Sequence, residues 1–246
     1  MKKFNTILVI GAHPADPIDL AGGTMALHKK QGDEVVQIAL TDGCRSHGGE
    51  GFSGALKRDE FKEAGEKIGI KKEDSNVLYF KDEPLILSEE IIEHVVQGIR
   101  SIKPDIVITH HPEEYAHWDH AETGKIVCRA LKSAIKLEGN KHFVPTVYFF
   151  AVQFRPESAR IGAVVQPPDI LIDIGSVVDK KVKALYCFAS QGHNNNTILY
   201  KRMNSFESEM GRADGLQYSE GFILYMPLKK KYLPINTDLG FYNKEK

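Results

Sequence analysis

The chain has 246 residues, with 32 Lys plus Arg against 33 Asp plus Glu and a net charge of −1, a balance that excludes a broad nucleic-acid-binding surface or an acidic tail as the basis of function. This length suits one α/β domain with a substantial core, so recognition has to come from a local site. Cys44, Cys128 and Cys187 are odd in number and far apart, which speaks against a disulfide framework or a thiolate zinc site and for a reducing cytoplasm.

Met1-Lys2-Lys3 before an apolar run imitates a signal peptide, but the run stops at His13-Pro14-Ala15-Asp16 without a small-residue cleavage pattern. No stretch is long and apolar enough to span a bilayer, and a membrane partner is not expected. The run itself, Ile7-Leu8-Val9-Ile10-Gly11, predicts a strand buried on both faces in the centre of a parallel sheet. Its polar end then emerges at the carboxyl edge, where open α/β sheets bind ligands. His13 and Asp16 are metal-ligand types there; equally, His13 can hydrogen-bond a loop while Asp16 caps a helix starting near Pro17.

A helix over 20–31 and a strand over Glu34–Leu40 follow, then a Gly-rich loop from Asp42 to Gly54 that leaves the same sheet edge. The loop lacks the Lys-Ser/Thr ending of a phosphate cradle. Residues 56–68 predict a helix with Arg58 near its start, either solvated or facing substrate. Asn76–Phe80 reads as a strand leading into Lys81-Asp82-Glu83-Pro84, and a helix runs from Ser88 to Ile102, closed by Pro104. His94 on it reads as a surface histidine.

The strand Asp105–Thr109 delivers His110-His111-Pro112-Glu113-Glu114-Tyr115-Ala116-His117-Trp118-Asp119-His120, so that four of the ten histidines fall in eleven residues. A solvated loop needs no such density, whereas a metal site needs an imidazole ligand, a proton donor and an orienting carboxylate. His111, before Pro112, reads as the ordinary histidine of the four. A helix from Ala121 to about Leu137, an aromatic strand over 146–151, an irregular excursion over 153–168, a strand over 169–174, a helix over 177–189, a turn carrying His193 and a last strand over 221–226 complete the chain. The tail from about 229 to 246 is polar. Alternation of strands and helices predicts a Rossmann-like, mostly parallel sheet with helices on both faces, in a single domain.

Ala12-His13-Pro14-Ala15-Asp16, Ala21-Gly22-Gly23-Thr24, His117-Trp118-Asp119-His120, Asp179-Lys180-Lys181, Ala184-Leu185, Ser190-Gln191 and Tyr218-Ser219-Glu220-Gly221-Phe222 together resemble the PIG-L/LmbE family of zinc-dependent N-acyl deacetylases, over nearly the whole chain. The resemblance implies zinc held by His13, Asp16 and His120. It further implies His117 as acid or electrostatic aid, Tyr115 as oxyanion donor, Asp119 as the carboxylate orienting a ligand, and a homo-oligomer, trimer or hexamer. Arg58 matches a position facing the substrate, and Asp82 is a second contact.

The chain departs from that pattern at the first motif. The family's usual general base is replaced by Ala15, its glutamate by Pro17, and Asp19 stands where an apolar residue is usual. Loss of a positioned base costs about 10²–10⁴ in rate, so a deacetylase needs Asp19, Asp42 or the loop around His47 to supply one. A branch resembling this chain, with Ala before the aspartate, hydrates 4-oxalomesaconate. In that reading water adds to an unsaturated oxo acid whose carboxylates meet Arg58 and Arg45. A catalytically inactive metal-binding homologue is the third reading; it explains Ala15 but gives His117, Asp119 and Tyr115 no purpose.

Overall fold

In the computed structural model, residues 4–45, 54–136, 139–151, 166–212 and 214–232 are described. Strand β1 (Thr6–Gly11) is central, flanked in parallel by β2 (Glu34–Thr41) and β4 (Ile106–Thr109), with β3 (Ser75–Phe80) and β5 (Thr146–Phe150) continuing the parallel pairing outward. Its side chains alternate between two cores: Ile7 and Val9 join Phe61, Leu185 and Phe188 on one face, Leu8 and Ile10 join Val96, Ile99 and Ile126 on the other. Burial on both faces is what an unbroken β-branched run can satisfy and an alternating one cannot.

Helices α1 (Asp16–Gln31), α2 (Gly54–Ile68) and α5 (Val178–Leu185) cover the first face, and α3 (Glu89–Ile102) and α4 (Trp118–Lys136) the second. The predicted α/β layering and mostly parallel sheet are therefore present. The seven strands run in the order β3-β2-β1-β4-β5-β7-β6, and the last two, β6 (Ile170–Asp173) and β7 (Ser219–Leu224), are an antiparallel extension.

Several boundaries differ from the sequence reading. α1 begins at Asp16 and breaks at Ala21 (φ −144°, ψ 15°), which removes the N–H groups of Gly23 and Thr24 from the helical ladder. Glu220 accepts both, at 2.8 and 2.7 Å, acting as a cap supplied from β7. A Cβ on Gly23 would stand 2.6 Å from Ile174, so the broken helix can pack only without one. β7 starts two residues before its expected position, because Ser219 and Glu220, polar enough to look like a turn, are buried at 1% and 3% exposure by that pairing. α5 stops at Leu185, and helices α6 (Asn196–Ser205) and α7 (Glu207–Arg212) were not anticipated; the pair is largely polar, with only Leu199 and Met203 of α6 buried. The predicted excursion at 153–168 lies, apart from its last three residues, outside the described residues, as does His47.

Candidate metal centre

Four of the parallel strands, β1 to β4, end at one edge and each releases a polar loop there. β1 delivers His13 and Asp16. Asp16 closes a tight turn in which its Oδ2 accepts the His13 backbone N–H at 2.7 Å, and Pro17 opens the helix. β4 delivers His110, and α4 begins eight residues later at Trp118. The start of α4 is fixed by His117, whose Nδ1 accepts the Asp119 backbone N–H at 3.2 Å in the manner of an N-cap. The body of α4 lies against the His110 loop through Gly124, where a Cβ would stand 2.6 Å from the His110 carbonyl oxygen.

The geometry centres on Asp16 Oδ2. It lies 3.4 Å from His13 Nδ1, 3.1 Å from His110 Nε2 and 3.5 Å from His120 Nε2. The rings of His110 and His120 are stacked with centroids 4.0 Å apart, and His120 stacks in turn on His117 at 4.7 Å. Two further carboxylates orient the imidazoles. Glu114 meets His110 Nδ1 at 3.2 Å and His120 Nδ1 at 2.7 Å through its two oxygens. Asp119 Oδ2 meets His13 Nε2 at 3.2 Å, and the same carboxylate accepts the N–H groups of Glu83 (2.9 Å) and Leu85 (2.8 Å). Such carboxylate–imidazole pairs fix which ring nitrogen faces a bound cation.

Burial disfavours a charged His13, but the Asp16 carboxylate and hydrogen bonds to Asp119 and Asp16 more than offset it, raising the pKa to about 9. His120 follows the same balance between burial and the carboxylates of Asp16 and Glu114, and is raised to about 10. Asp16, although buried, is held well below the usual carboxylate range by His120 and His13. His117 moves the other way: burial, then repulsion from His120 and His13, lowers its pKa. A pocket in which several imidazoles turn toward one anionic oxygen suits a cation, and His13, Asp16 and His120 present ligand atoms all within 4.8 Å of one another. So do His13, His117 and Asp119, and His110, Glu114 and His120. This donor set of imidazole nitrogen and carboxylate oxygen fits zinc.

The other residues singled out in the sequence fall at varying removes from this group. Tyr115 is half-buried in the same loop as His117. Asp82, buried at 2% exposure, accepts the Arg45 backbone N–H at 2.9 Å, tying the loops after β2 and β3 together at the sheet edge. Asp42 accepts the Cys44 N–H at 3.1 Å and belongs to none of the three ligand groupings. Asp19, offered as a replacement base, lies one turn beyond Asp16; its Oδ2 pairs with the Arg202 guanidinium of α6, and it lines a cavity with Lys181 and Glu207. Arg58, read as solvated or substrate-facing, hydrogen-bonds the Tyr79 hydroxyl and lies over that ring, 5.8 Å from its centroid. His193 packs on Phe188 and His94 bonds the Glu90 carbonyl, both apart from the centre. His111 sets its ring edge-on to Phe149, 5.0 Å between centroids.

Sequence reasoning passed over three participants. His110 and Glu114 were in view but unassigned; the signal was their position immediately after a buried strand, since His110 is fully buried. Glu83 was seen only as part of a turn, yet its Oε1 lies 3.6 Å from His117 Nε2.

Residues 8–131 match the model of the family described as PIG-L, GlcNAc-PI de-N-acetylase. The 4-oxalmesaconate hydratase of Pseudomonas putida is 30% identical over 203 residues, 76% of this chain and 74% of that protein. A probable N-acetyl-alpha-D-glucosaminyl L-malate deacetylase 2 of Bacillus cereus is 31% identical over 194 residues, 75% of this chain and 83% of its own length. Among solved structures, the 4-carboxy-2-hydroxymuconate hydratase of Pseudomonas putida KT2440 superposes with a TM-score of 0.76 at 25% identity, covering 94% of this chain and all of that one.

Proposed function

We propose, for a chain that belongs to the PIG-L (GlcNAc-PI de-N-acetylase) family of enzymes, that it is a zinc-dependent hydrolase removing an N-acyl group from an amino sugar or related small molecule. The observation carrying this reading is the meeting of His13, Asp16 and His120 around one carboxylate oxygen, with His117 stacked beside them. In this reading those three hold zinc and leave it an open position, as catalytic sites do. Zinc, when bound, polarises a carbonyl and acidifies water.

The protein's own groups supply the rest. Asp119 and Glu114 keep His13 and His120 turned toward the cation. His117 accepts a backbone N–H at Nδ1, so its neutral form carries the proton on Nε2, where it can donate a hydrogen bond to the reacting group. Tyr115, in the same loop, is the candidate hydrogen-bond donor to the acyl oxygen. Beside His117 the exposed indole of Trp118, at 81% exposure, lines a groove with Pro84, Leu85 and Leu87, a flat apolar platform of the kind that packs against a sugar ring.

One observation favours a second reading. Position 15, between His13 and Asp16, is an alanine at 7% exposure, and a relative at 30% identity carries the name of a hydratase. In that reading the same site adds water to an unsaturated oxo acid. The deciding experiment is a zinc-loaded assay of N-acetylated amino sugars against unsaturated oxo acids. Amine release from the sugars alone supports the hydrolase; hydration of the oxo acid alone replaces it with the lyase.

A further inference from the structure

A water molecule that attacks carbon must lose a proton, and the carboxylates at this centre are not equally able to take it. Asp16 Oδ2 faces three imidazoles. Glu114 spends both oxygens on His110 and His120. Asp119 spends both on His13 and two backbone N–H groups. Glu83 differs. Its side chain is 41% exposed, and its contact with His117, 3.6 Å from Oε1 to Nε2, is longer than a hydrogen bond, leaving the carboxylate free to meet a substrate and its water.

Its position is imposed from elsewhere. Glu83 adopts φ 44°, a left-handed backbone that a residue with a Cβ holds only when its surroundings require it. Asp119 holds the N–H groups of Glu83 and Leu85 in this turn. The carboxylate that orients His13 therefore also sets the turn carrying Glu83, so the imidazole cluster and this acid are aligned by one group.

We infer that Glu83 is the proton acceptor for the attacking water, paired with His117 as donor, in a chain whose position 15 is alanine. The inference rests on the metal-site reading with water as nucleophile. As the water oxygen bonds the acyl carbon, its O–H bond breaks and the proton passes to Glu83. As the C–N bond breaks, Glu83 passes that proton to the departing amine while His117 donates a hydrogen bond from Nε2–H. Glu83 is thereby returned to its carboxylate form, and the balance is amide plus water to amine plus carboxylic acid. Addition of water to an unsaturated oxo acid would use the same acceptor, the double-bond electron pair moving into the conjugated carbonyl and the proton on Glu83 ending on the adjacent carbon.

The test uses Glu83→Gln, Glu83→Asp and Glu83→Ala in the full chain at matched, measured zinc content, on N-acetylated amino sugars and unsaturated oxo acids alike. For Glu83→Gln the expected result is a fall in kcat of about 10²–10³ with KM and zinc per chain unchanged. Glu83→Asp should keep part of the rate, and Glu83→Ala should recover part of it with added formate, a rescue that a merely structural role would not allow. Wild-type kcat in Glu83→Gln, on whichever substrate the wild type accepts, overturns the inference; so does zinc loss that accounts for the fall. Activity on oxo acids alone defeats the hydrolase reading, and the same variants then decide the role of Glu83 on that substrate.

Discussion

The Lys181 ammonium of α5 lies 2.7 Å from Glu220 Oε1 of β7 and 2.8 Å from Glu207 Oε1 of α7, with Lys181 fully buried. Through Glu220 it is linked to the break in α1, whose N–H groups that carboxylate caps. One buried cation thus holds the antiparallel end of the sheet to the helix that follows Asp16. Burial opposes a charged lysine, but Glu220 and Glu207 raise its pKa well above the usual value.

Removal of that cation leaves two buried carboxylates without their partner. Lys181→Met should destabilise the protein by about 3–5 kcal/mol, the usual cost of breaking a buried pair from one side. Urea unfolding followed by circular dichroism measures it, and a loss below about 1 kcal/mol would show that the pair is dispensable.

The protein as purified should hold about one zinc per chain, and His120→Ala should lose it. Elemental analysis of both proteins decides the point, since an unchanged content in the variant would exclude His120 as a ligand.

Glu114 links stability to pH. Burial works against its charged form, yet hydrogen bonds from His110 and His120 lower its pKa from the ordinary 4.5 to about 2. A depressed acid stabilises the fold above its unfolded value and loses that contribution as pH falls through the folded one. In the zinc-free protein, Glu114→Gln should therefore cost roughly 3 kcal/mol near pH 6, and the gap to wild type should close as pH falls from 4.5 toward 2. Unfolding midpoints across this range test it; a constant gap would mean that the carboxylate acts by packing alone.

Ala15 separates the two enzymatic readings. It occupies the N-cap of α1 without a side-chain cap, a position where aspartate is at home. In a deacetylase, Ala15→Asp adds an acceptor beside the attacking water and should raise N-acetyl hydrolysis, by about a hundredfold where Glu83→Gln has removed the other acceptor. In a hydratase the new carboxylate repels an anionic substrate and fills its space, and hydration should fall. Both substrate classes are assayed at matched zinc content; a gain on N-acetyl substrates alone removes the hydratase reading, and a loss of hydration removes the other.

The parallel sheet and the edge that carries the candidate site could be read along the chain, because an apolar run such as Ile7 to Ile10 can be satisfied only by burial on both faces, and the polar residues after it must then emerge together. Residue type marked His13 and Asp16 at that edge and density marked the histidine-rich segment 110–120, while the choice of His120 came from the resemblance to the family. Relations between distant segments became visible only once the elements were docked. Asp19 looked available for catalysis until Arg202, 183 positions later, was found on its carboxylate. Glu83 looked like an ordinary turn residue until Asp119, 36 positions away, was found holding its backbone. By sequence, Ser219 and Glu220 fall outside the last strand because nothing local shows that Lys181 waits to pair with a buried carboxylate. Hydrophobic period is a local property and can be read along the chain, whereas the partner of a polar side chain is set by how the elements dock.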